Sequence, residues 1–167
     1  SSGSTGMPTN WIRGKAERKA NKNLLEIGLK HLLGKEPKFI INAFALGPWA
    51  TGINITMSFI DTAILKSLGP DINKIENTLS FFGPEYNYVI MGYPPFLKTL
   101  IDIANIDWKI YNITFIYGGE GMSEAMRDYF ITKGIKKVYG SLGASDLELN
   151  IGSENNFTIA LRKLLEY

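Results

Sequence analysis

Three segments rich in glycine and hydroxyl side chains carry most of the chemistry that this sequence offers. Successive glycines allow backbone N–H groups to converge on an anion, and hydroxyl groups add further donors. Each glycine taken alone is more often a tight turn at a strand end. The segments are Ser1-Ser2-Gly3-Ser4-Thr5-Gly6, Gly118-Gly119-Glu120-Gly121 and Gly140-Ser141-Leu142-Gly143-Ala144-Ser145-Asp146.

The composition removes several other kinds of chemistry. The 167 residues include no cysteine, which excludes disulfides, thiol catalysis and cysteine-ligated zinc. A single histidine, His31, leaves little basis for a Ser-His triad or a multi-histidine metal site, and it is expected to be a surface or core residue. The net charge of +2 gives no case for nucleic-acid binding. The first segment lacks the Gly-Lys-Ser/Thr ending of a P-loop.

The elements that must position these segments alternate along the chain. Apolar residues from about Lys15 to Leu33 predict a helix that carries Ala16, Ala20, Leu24, Ile27 and Leu32, with a solvated basic face. Predicted strands then cover 38–44, 62–68, 86–91, 113–117 and 136–139, and predicted helices cover 50–59, 72–82, 96–104 and 123–132. The strand spacing leaves room for one crossover helix each, so an α/β fold with a mostly parallel sheet flanked by helices is expected, as one domain over residues 1–167.

One uncharged stretch, residues 39–60, is nominally long enough to cross a bilayer. It contains Asn42, Pro48 and Asn54, and it fits a core strand followed by a buried helix better than a membrane span. The opening residues also lack the features of a signal peptide. The sequence therefore predicts a soluble, cytoplasmic protein without a membrane span.

In this order and spacing, the three segments resemble the adenylate-forming (AMP-binding) superfamily. The opening nonapeptide, Ser1 to Thr9, looks like its phosphate-binding loop, except that Met7 stands where the family usually has lysine. The run from Tyr117 to Ser123, followed by Arg127, is similar to the Gly-Gly-Glu segment of the phenylacetate–CoA ligase branch. The turn at Gly92-Tyr93-Pro94 is similar to that branch as well. The missing lysine weakens the expected phosphate affinity rather than the resemblance.

The resemblance implies an AMP-forming carboxylate–CoA ligase, which uses ATP and Mg²⁺ to make an acyl-adenylate and then transfers the acyl group to coenzyme A. In that scheme Ser1, Ser2, Gly3, Ser4, Thr5 and Gly6 hold the β- and γ-phosphates. Gly118, Gly119 and Glu120 border the adenine. The partners implied are ATP or AMP and a small aryl or acyl carboxylic acid.

The family's Tyr-Gly-x-Thr-Glu signature can be aligned in two registers. Tyr139-Gly140 matches its first pair, but Leu142 and Gly143 then stand where threonine and glutamate belong. The alternative, Leu142 to Asp146, keeps the glycine, a hydroxyl and a carboxylate, and we prefer it. It implies that Ser145 contacts phosphate and that Asp146 is both catalytic and the Mg²⁺ ligand, with Leu142 and Gly143 beside the nucleotide.

Several expectations complete this interpretation. The acid could bind against the aromatic residues Phe44, Trp49 and Tyr93, although such residues are more often core. The family's ribose-binding aspartate, hinge and catalytic lysine have no counterpart here. The chain is therefore expected to be part of a larger AMP-binding domain that acts with the remaining parts of the enzyme. Whether it forms a homodimer is left open. Two rival functions remain: an adenylating enzyme with an acceptor other than coenzyme A, and a non-catalytic nucleotide-binding or interaction module.

Overall fold

Helices and strands alternate along the chain, as the sequence predicts. The computed structural model describes residues 12–144 and 151–166. The helices are α1 (Lys15–Leu33), α2 (Ala50–Phe59), α3 (Ile72–Phe82), α4 (Pro94–Ile103), α5 (Glu124–Lys133) and α6 (Asn156–Glu166). The strands are β1 (Phe39–Asn42), β2 (Ile64–Ser67), β3 (Asn87–Gly92), β4 (Asn112–Gly118), β5 (Lys137–Leu142) and β6 (Gly152–Ser153).

The strands form one sheet in the order β2-β1-β3-β4-β5-β6. Strands β1 to β5 pair in parallel, and β6 pairs antiparallel to β5. The predicted mostly parallel α/β fold is therefore confirmed. Since the chain leaves β1 toward β2 and later returns to β3 on the other side, the order reverses between β1 and β3. Ligands of open α/β sheets bind near such a reversal, outside the carboxyl ends of the strands.

Alternation along the strands divides the core into two layers. Ile40 and Val89 lie on the face that packs against Leu25 of α1 and Ile55 of α2. The residues on either side of Ile40 lie on the opposite face, with the buried side chains of α3, α4 and α5. Fully burying each such side chain contributes about 1.5–3 kcal/mol, so helices are held on both faces of the sheet.

The buried face of α1 differs from the predicted one. Leu24 and Ile27 are 43% and 66% exposed, whereas Leu25 is buried. Leu25, Leu29 and Leu33 belong to the same core layer. Their spacing of four residues forms a stripe on one side of the helix, and that stripe faces the sheet instead of the predicted one.

The end of β5 also differs from the prediction. The strand continues past Tyr139 to Leu142, because Ser141 pairs with Ser153 and Leu142 with Gly152. Neither β6 nor α6 was predicted from the sequence. Among residues 12–144 and 151–166, no helix combines the length and apolar character needed to cross a bilayer.

Candidate nucleotide site at the carboxyl edge of the sheet

The two glycine segments that the structure describes meet at the ends of adjacent strands. Tyr117 pairs with Gly140 and Gly118 with Ser141 in the parallel ladder between β4 and β5. Beyond these pairs the chain borders a pocket of about 530 Å³. The pocket is lined by Gly119, Glu120, Gly121, Leu142 and Gly143, together with Glu154, Thr158 and Arg162 from the end of the described chain.

Both the backbone conformation and the surroundings at position 119 require glycine. Its φ is +91°, in the region that side-chain-bearing residues rarely adopt. A Cβ atom on Gly119 would lie 2.3 Å from Cε2 of Tyr93. Tyr93 precedes α4, whose first residue is Pro94, so the turn after β3 holds its ring against the turn after β4.

Gly140 borders the pocket, but its backbone N–H is not available to a ligand. A Cβ on Gly140 would lie 2.8 Å from the ring of Tyr117 and 2.9 Å from Oε2 of Glu154. Its N–H donates to Glu154 Oε2 at 2.6 Å. Because that donor is already used, Gly140 does not supply the free N–H group that a phosphate-binding turn would need. The lack of a side chain at Gly140 allows Tyr117 and Glu154 to pack closely against its backbone.

Four charged residues form an ionic cluster behind this pocket: Glu124 and Arg127 of α5, Glu154, and Arg162 of α6. Glu124 accepts hydrogen bonds from Nε of Arg127 at 2.8 Å and from Nε of Arg162 at 2.6 Å. Glu154 pairs with Nη2 of Arg127 at 2.7 Å and with Nη2 of Arg162 at 2.7 Å. The two carboxylates and two guanidinium groups balance, so the cluster adds no net charge to the pocket.

Burial and ion pairing shift the pKa of Glu124 in opposite directions. Burial disfavours the ionised carboxylate of Glu124, whose side chain is 1% exposed. The hydrogen bonds from Arg127 and Arg162 outweigh burial, so the pKa of Glu124 lies below its ordinary value. Burial raises the pKa of the neighbouring Tyr117 phenol, so this group stays protonated at neutral pH.

The cluster also binds the sheet. Arg127 donates from Nη1 to the carbonyl of Val138 in β5. The Tyr117 hydroxyl donates to Oε2 of Glu154 at 3.1 Å. Strands β4 and β5 are thus joined to α5 and α6 by charge-assisted hydrogen bonds, which are about twice as strong as neutral ones.

An apolar cavity of about 100 Å³ lies beside the pocket, between the sheet and helices α1 and α2. Phe44, which is also a core residue, lines it, whereas Trp49 and Tyr93 are not among the described residues that line it. Trp49 is 51% exposed. The wall consists largely of aliphatic and aromatic side chains (Leu25, Leu29, Leu32, Ile55, Phe59, Met91 and Ile116), and it reaches Gly118, Gly119 and Gly140 at the strand ends.

A buried asparagine fixes the helix that closes this cavity. Asn42, at the end of β1, donates from Nδ2 to the carbonyl of Gly52 at 2.8 Å and to Oγ of Ser67 at 3.0 Å. Its Oδ1 accepts from the N–H of Phe44 at 3.1 Å. A Cβ on Gly52 would lie 2.2 Å from the carbonyl oxygen of Ala45, so α2 packs directly on the chain that follows β1.

The structure brings together only part of the predicted site. Gly118, Gly119, Glu120, Leu142 and Gly143 border the two adjoining spaces. The other predicted residues lie outside the described part of the chain: Ser1, Ser2, Gly3, Ser4, Thr5, Gly6, Ser145 and Asp146. Within residues 12–144 and 151–166, no three histidine or acidic side chains form a group that could hold a metal ion.

Several site residues were not predicted from the sequence, Glu154 and Arg162 among them. Glu154 and Arg162 follow the last predicted strand, in a segment where no motif was recognised. The polar and apolar periodicity of residues 156–166 was the available signal for α6. That signal indicates a helix, but it does not indicate which residues on other elements the helix would meet.

No family model matches the sequence, and no curated protein matches it. Solved structures do match. The ATP-bound RpMatB-BxBclM chimera B3 gives a TM-score of 0.69 at 17% identity, over 92% of this chain and 29% of that one. Apo MatB from Rhodopseudomonas palustris gives 0.57 at 19% identity, over 80% and 27%. The luciferase-like enzyme of the nonluminescent mealworm Zophobas morio gives 0.54 at 16% identity, over 78% and 31%.

These likenesses identify the fold. The six-stranded sheet and its helices share the architecture of part of these solved structures. The chain spans less than a third of the length of the structures that it matches. The predicted class of fold is confirmed, and the site described above lies at the carboxyl edge of its sheet.

Proposed function

We propose that this chain supplies the nucleotide and acid pockets of an AMP-forming carboxylate–CoA ligase of the phenylacetate–CoA ligase-like branch. The observation that carries the proposal is the pairing of Gly118 with Ser141, which makes two predicted nucleotide-binding segments border one pocket. The fold and the ATP-bound state of one matched structure support the same function.

In this proposal the pocket binds the adenosine part of ATP. Gly119 and Glu120 border the adenine, and Leu142 and Gly143 lie across from them. The Tyr93 ring fills the space that a side chain on Gly119 would need, and this contact supports the turn beside the adenine. The described groups therefore orient the nucleotide, and correct orientation is a large part of catalysis in phosphoryl transfer.

The apolar cavity is proposed to hold the hydrophobic part of the acid. Its aliphatic wall recognises an acyl or aryl group, and its mouth at Gly118 and Gly119 leaves the carboxylate next to the nucleotide. A carboxylate oxygen then attacks the α-phosphorus, and the bond to the bridging oxygen of pyrophosphate breaks. A thiolate subsequently attacks the acyl carbon of the adenylate, and AMP leaves.

The remaining roles stay with residues outside the described part of the chain. Ser1 to Gly6 are proposed to bind the β- and γ-phosphates, Ser145 to contact phosphate, and Asp146 to bind Mg²⁺. We keep the register from Leu142 to Asp146, which retains a glycine, a hydroxyl and a carboxylate, over the one from Tyr139. The described residues offer no metal-binding group, so no step is assigned to the metal.

Calorimetric titration of the 167-residue chain with ATP and Mg²⁺, and separately with AMP, tests the proposal. Binding of both nucleotides is expected, and Asp146→Ala is expected to reduce the Mg²⁺-dependent part of ATP binding. Absence of binding for both at millimolar concentration would contradict the proposal and favour a non-catalytic interaction module. If nucleotides bind, a search for acyl–CoA product with the complete enzyme separates a CoA ligase from an enzyme with another acceptor.

A further inference from the structure

One carboxylate lies at the point where both glycine segments meet the end of the described chain. Oε2 of Glu154 accepts hydrogen bonds from the N–H of Gly140 at 2.6 Å, from the Tyr117 hydroxyl at 3.1 Å and from Arg127 at 2.7 Å. Its other oxygen pairs with Arg162 at 2.7 Å. The Glu154 side chain is only 16% exposed, so these bonds form largely out of water.

Glu154 binds Gly140 through its backbone as well. Its N–H donates to the Gly140 carbonyl at 2.9 Å. One residue therefore satisfies both the donor and the acceptor of Gly140, and the missing side chain of Gly140 leaves the space that the carboxylate fills. Rotation of either peptide group that flanks Gly140 would break a hydrogen bond to Glu154.

The same carboxylate is connected to the first glycine segment. Tyr117 immediately precedes Gly118 and Gly119, and its hydroxyl is bound to Glu154. Since Tyr117 and Gly140 are register partners in the β4–β5 ladder, Glu154 contacts both members of the pair that precedes the final pair, Gly118 and Ser141. Glu154 therefore adds a side-chain link between β4 and β5 close to the point where both glycine segments begin.

We propose that Glu154 is a positioning residue for nucleotide binding: its carboxylate fixes the spacing between the Gly118–Glu120 turn and the Leu142–Gly143 turn across the pocket. This inference rests on the proposed function for its link to nucleotides. Arg127 and Arg162 act through Glu154, because their guanidinium groups hold its carboxylate in place. Arg162 lines the pocket, but it pairs with both Glu124 and Glu154. We therefore assign it to holding the Glu154 carboxylate and not to phosphate binding.

The test compares the 167-residue wild type with Glu154→Ala and Glu154→Gln, and uses Glu85→Gln as a control for removal of an exposed glutamate charge. Titration with ATP and Mg²⁺ is expected to show about tenfold weaker binding for Glu154→Ala, the loss that one or two charge-assisted bonds would cause. Glu154→Gln keeps an acceptor and the side-chain volume, and its loss is expected to be about threefold. The control is expected to bind as the wild type does.

Amide hydrogen exchange at individual residues distinguishes local positioning at Gly140 from a general loss of structural stability. In Glu154→Gln the Gly140 amide is expected to exchange about tenfold faster, while amides of Ile40 and Ile90 in the sheet centre keep their protection. An equal loss of protection at all three positions, or an unchanged Gly140 amide, would overturn the positioning role. If the wild type binds neither ATP nor AMP, the ligase proposal and the nucleotide link fail together, and the exchange result still decides whether Glu154 holds the two turns.

Discussion

The ring of Tyr93 occupies the space that a side chain on Gly119 would need. The two residues follow neighbouring strands, β3 and β4, and a Cβ on Gly119 would approach Cε2 of Tyr93 to 2.3 Å. Gly119 also has a φ of +91°. The close approach and the backbone conformation are independent reasons for glycine, and together they place an aromatic surface directly behind the proposed adenine position.

Gly119→Ala is expected to reduce both stability and nucleotide affinity. The positive φ costs about 1–2 kcal/mol for a residue with a Cβ, and displacement of the Tyr93 ring adds to this. ATP binding is expected to weaken by at least about tenfold, since the displaced turn borders the pocket. Urea unfolding and calorimetric titration measure the two effects.

Gly121→Ala is the matched control for this change. A Cβ on Gly121 would meet no atom within 4 Å, so this variant should resemble the wild type in urea unfolding. Equal behaviour of the Gly119 and Gly121 variants would contradict the importance of the Tyr93 contact. The double variant Gly119→Ala with Tyr93→Ala should recover the part of the loss that is due to the ring and retain the part due to φ.

The ionic cluster predicts a specific dependence of stability on pH. Glu124 has a pKa below its ordinary value of 4.5 because Arg127 and Arg162 hydrogen-bond its carboxylate despite burial. A group with a lowered pKa in the folded state stabilises the fold fully above its unfolded pKa, and that contribution disappears as the pH falls through the folded pKa. The Glu124 contribution should therefore be present at neutral pH and be lost below about pH 4.5.

Glu124→Gln is expected to lower the free energy of unfolding by about 3 kcal/mol near neutral pH, because an amide donor would face buried guanidinium donors. The difference from the wild type should shrink as the pH falls below about 4.5, because Glu124 then takes up a proton in the unfolded chain, and it should disappear once the pH falls through the lowered pKa of the folded state. Urea unfolding across this range measures it, with Glu85→Gln as the control at an exposed site. A difference that stays constant down to pH 3 would show that the charge of Glu124 is not the cause.

The sequence predicts the layers of this fold well, because the apolar pattern that marks a strand or helix is contained within a few consecutive residues. The strands that contain Ile40 and Val89 and the stop of α1 before Gly34 follow from local composition. The orientation of α1 does not follow from local composition. The stripes that contain Leu24 and Leu25 both satisfy helical periodicity, and only packing against α2 selects the one with Leu25. Glu154 could not be assigned for a similar reason: its partners Tyr117 and Arg127 are distant in sequence, and no local pattern encodes their meeting.

The apolar cavity leads to the last prediction. Leu29 is a half-buried wall residue of the cavity on α1, and Leu24 is an exposed leucine on the same helix. Replacing Leu29 by tryptophan would place a larger apolar side chain at a cavity of only about 100 Å³. In the complete enzyme, Leu29→Trp is therefore expected to raise the KM for an apolar carboxylic acid by about tenfold or more, while the Kd for ATP stays within about twofold.

The matched control, Leu24→Trp, adds the same side chain outside the cavity and should change neither constant. Initial rates of pyrophosphate release at varied acid concentration give the KM, and calorimetric titration gives the Kd for ATP. A parallel loss of ATP affinity in Leu29→Trp would mean that the change deforms the strand ends instead of filling an acid pocket. An unchanged KM would remove the cavity from the acid site, because no acyl or aryl group could share so small a space with an indole ring without a cost in binding.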